Sequence, residues 1–542
     1  MKKIIILTVF LLITAIALAG LYFSNLFRDD RNSNKVLGYI PADAALILQF
    51  TNDDSFYEIF DNYQLFNRIN GNVRENELRA LKSAFLNHPQ VAELIDQQKL
   101  FLSFHTEQDS VSFLWISMLN NNMEAVDFQE DAAHKFKILP DNTHNTKNQF
   151  FSITLPDLDK PFFIFIDKSI VLGSFSKKLL LKTLNKREVK IGESFIEEIS
   201  NQGIKNDNSL INLYLNLETL QKYLANYFKD SEGGNFTLLK DVKGVSTLNM
   251  NFKSDALMFN GITKPDSVSI NYLNLFLHQN PVRNTLMRVV PENTSDYMLF
   301  GLSNYQQFNI DLKKLLKKRK QLDKLAAQIQ TIANENGINP ERDIKSLWGK
   351  EFITFQLDSR EKFAAIKIEN GSQLKFLLEP LSSTAAGEIR QLNYTDLFYF
   401  YFGDPLQAFR RPYYFITDNV IFIANSLTAL QRFNSQYATE RFLYKTEQFI
   451  HFEQLVANQS NITLFVHNNN SKSTIRTGLR TNFANTFTNS NYGLQDFYGL
   501  SFQLSGEDRH FFTNLYIGGK DDLKKLSIIG STDTIATDYN VR

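Results

Sequence analysis

The sequence predicts an α+β protein: an N-terminal transmembrane helix followed by two tandem related domains of antiparallel sheet with packed helices. Three observations carry that reading. An uncharged stretch of twenty residues, Ile4 to Phe23, comes after Lys2 and Lys3. The segment PFFIFIDKSIVLGSFSKKLLLKTLN, Pro161 to Asn185, returns 251 residues later as PYYFITDNVIFIANSLTALQRFNSQ, Pro412 to Gln436. Apolar runs of strand length come in neighbouring pairs joined by short polar turns, with stretches of helical spacing between the pairs. That pattern favours antiparallel sheet over regular strand–helix alternation.

The leader is long enough to cross a hydrocarbon core of about 30 Å as a helix. Lysines before it, with the chain beyond it exported, fit the positive-inside tendency, which Arg28 and Arg31 weaken. Residues 1–27 therefore read as a single-pass inner-membrane anchor, with the N-terminus cytoplasmic and the bulk of the chain periplasmic. The alternative is a signal peptide cleaved near Ala19, since Ala17-Leu18-Ala19 has the small-x-small form, releasing the chain into the periplasm. The apolar run continuing through Leu21, Tyr22 and Phe23 favours the anchor. The chain has no cysteine, which excludes a lipid-modified thiol, disulfides and thiolate metal sites. Packed cores must hold the fold, and 48 phenylalanines supply them.

Other landmarks recur with the hairpin. Pro41 answers to Pro291, Pro89 to Pro340, FLSFH at Phe101 to FITFQ at Phe352, and INLYLNL at Ile211 to ITLFVHN at Ile462. Gly244 and Gly499 are 255 apart, which requires one small insertion. With only 12 prolines in the chain, three pairs spaced 250, 251 and 251 residues apart argue for duplication. The chain then divides into linker 28–36, first repeat 37–262, connector 263–285, second repeat 286–519 and tail 520–542.

Within the first repeat, strands are expected at Ala44–Phe50, Leu100–His105, Val111–Ser117, the Pro161 hairpin, Ile211–Leu217, Val245–Phe252 and Ala256–Gly261. Helical spacing marks the approach to Phe60, Glu77–Leu86, Met123–Phe136, Glu193–Ile199 and Glu218–Phe228. Asp141–Asn148 reads as a loop. The connector's middle, SINYLNLFLHQ, is too apolar for a free linker and is expected to pack on a domain.

The chemistry-bearing patterns are thin. No two of the eight histidines form an H-x-x-x-H pair, so none is nominated as a metal ligand. Ser174 to Lys177 matches S-x-x-K, but the supporting S-D-N and K-T-G elements are missing; a serine and lysine opening a helix explain it. Paired acids such as Asp157 and Asp159, or Glu197 and Glu198, read as solvated faces. No catalytic, cofactor-binding or metal-binding residue is nominated, and no cofactor is expected. The unusual stretch is Asp311 to Ile332, where seven leucines and isoleucines hold helical spacing. Lys313, Lys314, Lys317, Lys318, Arg319, Lys320 and Lys324 outweigh Asp311 and Asp323 there. A basic amphipathic helix of this kind is a candidate membrane or partner surface, or a domain helix with lysines in water. Lys472, Arg476 and Arg480 form a thinner basic patch. Lys plus Arg equals Asp plus Glu, 58 each, so nucleic acid is not an expected partner.

The leader, the I-P-x-D-A opening at Ile40 to Ala44, the Phe/Asn/Lys-rich texture and HQNPVRNTLMRVVPENTSDYMLF at His278 to Phe300 together resemble a family of single-anchor envelope proteins of bacteroidetes, of unknown function. The resemblance implies envelope location and transfers no site. The expected function is a membrane-anchored periplasmic module for binding or scaffolding, non-enzymatic, held in the membrane through residues 4–23. Its partners would be an envelope protein or a cell-surface polymer. The alternative is an envelope hydrolase or carbohydrate-active enzyme with a site between the two repeats.

Overall fold

The computed structural model describes residues 35–53, 95–107, 110–120, 138–140, 150–154, 160–167, 169–185, 187–205, 209–225, 227–229, 241–253, 256–266, 268–481, 484 and 497–520. They fall in two compact units, the first ending at Leu220 and the second opening at Gln221.

The first unit holds β1 (Leu46–Thr51), β2 (Lys99–Glu107), β3 (Ser110–Met118), β4 (Ile138–Pro140), β5 (Phe150–Thr154), β6 (Pro161–Asp167), β7 (Ile170–Ser174) and β8 (Asn212–Asn216). Beside them run α1 (Lys177–Leu184), α2 (Glu193–Lys205) and α3 (Leu217–Ala225), in which the division falls. The sheet order is β8-β1-β2-β3-β7-β6-β5-β4, antiparallel at every joint. Its core gathers Leu100, Trp115, Phe151, Phe162, Ile164 and Val171. α1 begins where Ser176 turns extended and accepts the Leu179 N–H at 3.1 Å. That is an N-cap, satisfying one of the donors a helix start leaves over.

The second unit runs from β9 (Gly244–Lys253) and β10 (Ala256–Pro265) through β11 (Val282–Arg283) and β12 (Thr294–Gly301) to α4 (Tyr305–Lys318) and α5 (Leu322–Asn336). Then come β13 (Trp348–Leu357), β14 (Lys362–Ile368), α6 (Gly371–Leu378), β15 (Ser382–Ala386), β16 (Ile389–Leu392) and α7 (Leu397–Phe402). The chain closes with β17 (Tyr413–Thr417), β18 (Val420–Ala424), α8 (Leu427–Ala438), α9 (Glu447–Glu453), β19 (Gln459–Ser460), β20 (Ile462–His467), α10 (Lys472–Gly478), β21 (Phe497–Glu507) and β22 (His510–Gly519). From β20 the order is β20-β12-β13-β14-β18-β17-β16-β15. Taken strand for strand, this is the order of the first unit. In the other direction β20 joins β21, β22, β10 and β9. β9 and β10, which the sequence assigns to the first repeat, thus belong to the second unit, because β10 pairs along its length with β22. Thr263 Oγ1 and Thr513 Oγ1 meet at 2.6 Å across that joint.

All eight residues of β12 are buried, as expected of a strand covered on both faces. Tyr297 and Leu299 face a core completed by Phe433 of α8 and Phe449 and Phe452 of α9. Phe300 stacks on Phe352 at 4.6 Å on the opposite side. There they meet Phe308 of α4, Phe402 of α7, and Phe276 from the connector. The connector is therefore core material, with Tyr272, Leu273 and Phe276 buried.

The fold class read from the sequence needs correction. The described chain is mostly antiparallel sheet with helices beside it. Among the described residues no helix is long and apolar enough to cross a membrane, so an N-terminal transmembrane helix is not supported. α4 and α5, at 14 and 15 residues and carrying lysines, both fall short of the roughly 20 apolar residues a span needs. Residues 4–23 lie outside the described residues, as do the expected helices near Phe60, at Glu77–Leu86 and at Met123–Phe136 and the loop Asp141–Asn148.

Candidate functional site

The basic stretch expected as one helix folds as two. α4 stops at Arg319, Lys320 takes φ 58°, and α5 starts at Leu322. Lys320 N–H donates to Lys317 O (3.0 Å) and Gln321 N–H to Leu316 O (2.9 Å). This pair of backward bonds is the Schellman closure that normally uses glycine. The leucine periodicity survives the break: Leu312, Leu315 and Leu316 of α4 and Leu325, Ile329 and Ile332 of α5 are all buried.

The seven basic side chains therefore part company. Arg319 turns inward and forms a two-bond pair with Asp404, whose side chain is 4% exposed (Nη2–Oδ2 3.0 Å). Lys313 bonds Glu341 and sits 5.3 Å from the Phe400 ring centre. Lys314 pairs with Asp311, and Lys318 Nζ donates to Ile270 O at 3.1 Å. Lys317, Lys320 and Lys324 are exposed and make no ion pair among the described residues. The Lys318 bond brings the loop 266–271 against the α4 terminus, and on that loop Val268 is 86% exposed and Ile270 is also exposed. Charge is thus concentrated at one turn, beside apolar side chains standing in water. Lys472 and Arg476 lie on α10, which buries no residue.

The Arg319–Asp404 pair is held by its surroundings. Gly403 has φ 73°, and a β-carbon there would stand 2.6 Å from the Tyr272 ring and 2.8 Å from Leu312. Tyr272 O–H donates to Phe402 O, and Tyr399 O–H to Gln321 Oε1 at 2.7 Å. Burial pushes the Tyr272 phenol well up, keeping it a donor.

A hydrogen-bond chain of catalytic type lies in the first unit, unseen in the sequence because Asp43 is 62 residues from His105. Ser103 Oγ stands 2.9 Å from His105 Nε2, and His105 Nδ1 stands 3.0 Å from Asp43 Oδ1. Burial would raise the Asp43 carboxyl, but bonds from His105 and Lys182 outweigh it and hold it well below the usual carboxylate range. The distances suit nucleophile activation. Exposure does not: Ser103 and His105 are both 0% exposed, so no substrate reaches the hydroxyl. The chain ties β2 to the segment before β1 and to α1. The S-x-x-K match is likewise structural, since Ser174 Oγ donates to Phe113 O at 2.7 Å and accepts from Ser176 N–H. No group of three metal-ligating side chains occurs among the described residues.

No family model matches the chain, and no curated protein matches it. A solved structure of TP0453, in its crystal form I, is similar over 46% of this chain and 88% of its own, at 12% identity and a TM-score of 0.24. A likeness of that size carries no argument about fold or function.

Proposed function

We propose that this chain is an exported, non-enzymatic binding module of the cell envelope, akin to the bacteroidetes envelope proteins it resembles. It docks through the α4–α5 turn and the 266–271 loop onto an anionic lipid surface. The observation that carries the reading is the juxtaposition of exposed Val268 and Ile270 with Lys317, Lys318 and Lys320. Apolar side chains enter the headgroup region while lysines hold its charge, each lysine contributing about 1 kcal/mol at an anionic surface. Export is supported by Lys2 and Lys3 ahead of the apolar run Ile4 to Phe23.

Vesicle flotation of the full chain tests the proposal. Phosphatidylglycerol vesicles should carry more protein than phosphatidylcholine vesicles. That difference should vanish in a variant combining Val268→Asp, Lys317→Glu and Lys320→Glu. Flotation that ignores both lipid charge and the substitutions sinks the reading.

A further inference from the structure

On the opposite side of the second unit's sheet, away from the basic turn's core, a cleft of about 60 Å³ opens between α9, the segment around Arg283 to Arg288 and the face of β12, β20 and β21. One water needs roughly 10–15 Å³ on such a measure, so the space admits a small molecule.

Its lining is chemically divided. Arg283 and Arg288 line it, both exposed and neither in an ion pair among the described residues. The Arg288 guanidinium lies 5.9 Å from the Tyr444 ring centre, which leaves its N–H fork free for an anion. Glu453 supplies a half-buried carboxylate that likewise lacks an ion-pair partner among the described residues; burial raises it, and the two arginines oppose that rise. Tyr297, Phe449 and Phe452 form an apolar wall.

The interior holds polar atoms with nothing to bond. Ser501 is 2% exposed and lines the cleft, yet its Oγ has no hydrogen-bond partner among the described residues. Asn284 spends its amide N–H on Ser460 Oγ at 2.7 Å and leaves Oδ1 unpartnered. By contrast Gln503, also in the lining, closes both ends of its amide on Ala457. A buried polar atom without a bond is costly, so two such atoms on residues lining one cleft mark where a ligand's polar groups belong.

We infer that this cleft binds a small zwitterion of amino-acid size with an apolar side chain. Its carboxylate meets Arg283 and Arg288, its ammonium donates to Glu453 and Asn284 Oδ1, and its side chain lies against Tyr297, Phe449 and Phe452. Ser501 O–H completes the polar set. This site is independent of the basic turn, and either can fail alone.

Calorimetric titration of the full chain with L-leucine and L-phenylalanine tests the inference. Saturable binding is expected. Leucinamide, which lacks the carboxylate, and N-acetyl-leucine, which lacks the ammonium, should each bind at least about tenfold more weakly. Arg288→Gln and Glu453→Gln, at positions not fully buried, should cost a similar factor with an unchanged unfolding midpoint. Ser501→Ala should weaken binding without lowering that midpoint, since it deletes an unsatisfied group. Equal affinity for the capped analogues, or no saturable heat from folded protein at millimolar ligand, overturns the assignment.

Discussion

Gly403 shows how one position can hold a site together. Its positive φ and the 2.6 Å approach to the Tyr272 ring leave no room for a methyl group. Gly403→Ala should therefore destabilise the second unit by about 2 kcal/mol or more, from overpacking and backbone strain together, read as a lower denaturation midpoint. His467 carries a second prediction. Burial pulls its imidazole down to about 4, and its Nδ1 accepts the Asn470 N–H at 3.2 Å, a bond only the neutral ring can make. The unfolded imidazole takes its proton near pH 6.5, so stability is complete above that value and falls as pH drops toward 4. The loss amounts to a few kcal/mol at most. His467→Gln should flatten that limb in urea titrations at pH 7 and pH 4.5. Asp43 acts in a lower window. Its folded carboxyl is held well below the usual carboxylate range, so its contribution is complete above about pH 4 and is lost gradually as pH falls toward that depressed folded value. Asp43→Asn should cost about 1 kcal/mol at pH 7, allowing for its partial exposure to solvent, and progressively less as pH falls below 4. The roles of Gly403 and Asp43 could not be read from the sequence, because each depends on partners brought near by the fold, and that of His467 depends on its burial.

At the scale of elements the sequence was more legible, and the reason is local chemistry. The Pro161 and Pro412 hairpins and their helices stand where periodicity puts them, opened by Ser176 and Ser426, each accepting the N–H three residues on. The turns are less alike than the letters suggest. Asp418 and Asn419 both take positive φ, forming the two-residue turn that matches strand twist, whereas Asp167 is still a strand residue paired with Ile170. The hairpins therefore correspond at 250 residues, one less than the letters indicate, since Asp167 and Ile170 take the places of Thr417 and Val420. The break in the basic helix was invisible, because lysine gives no sign that it will adopt a left-handed backbone. Lys320→Gly should raise stability by about 1 kcal/mol by relieving that conformation. It should leave the far-ultraviolet spectrum unchanged, whereas one continuous helix would lose ellipticity and stability on the same change.

The whole molecule has two compact units and two tryptophans, one in each: Trp115 in the first, Trp348 in the second, both buried. The single-tryptophan variants Trp115→Phe and Trp348→Phe should each report one unit's unfolding in denaturant. Asp43→Asn should shift only the Trp115 signal, and Gly403→Ala only that of Trp348. Coincident shifts would show instead that the chain unfolds as one cooperative body. Strand pairs and apolar runs were readable because antiparallel partners lie close in sequence. The boundary was not, because the strand that moves it, β10, takes a partner from the far end of the chain.

That partnership has a consequence for how the protein comes into being. β10 leaves the ribosome some 250 residues before β22 and presents a bare row of amide and carbonyl groups until β22 has been made. A nascent protein cut short before His510 keeps that template open, and β10 would need chaperone escort until β22 arrives.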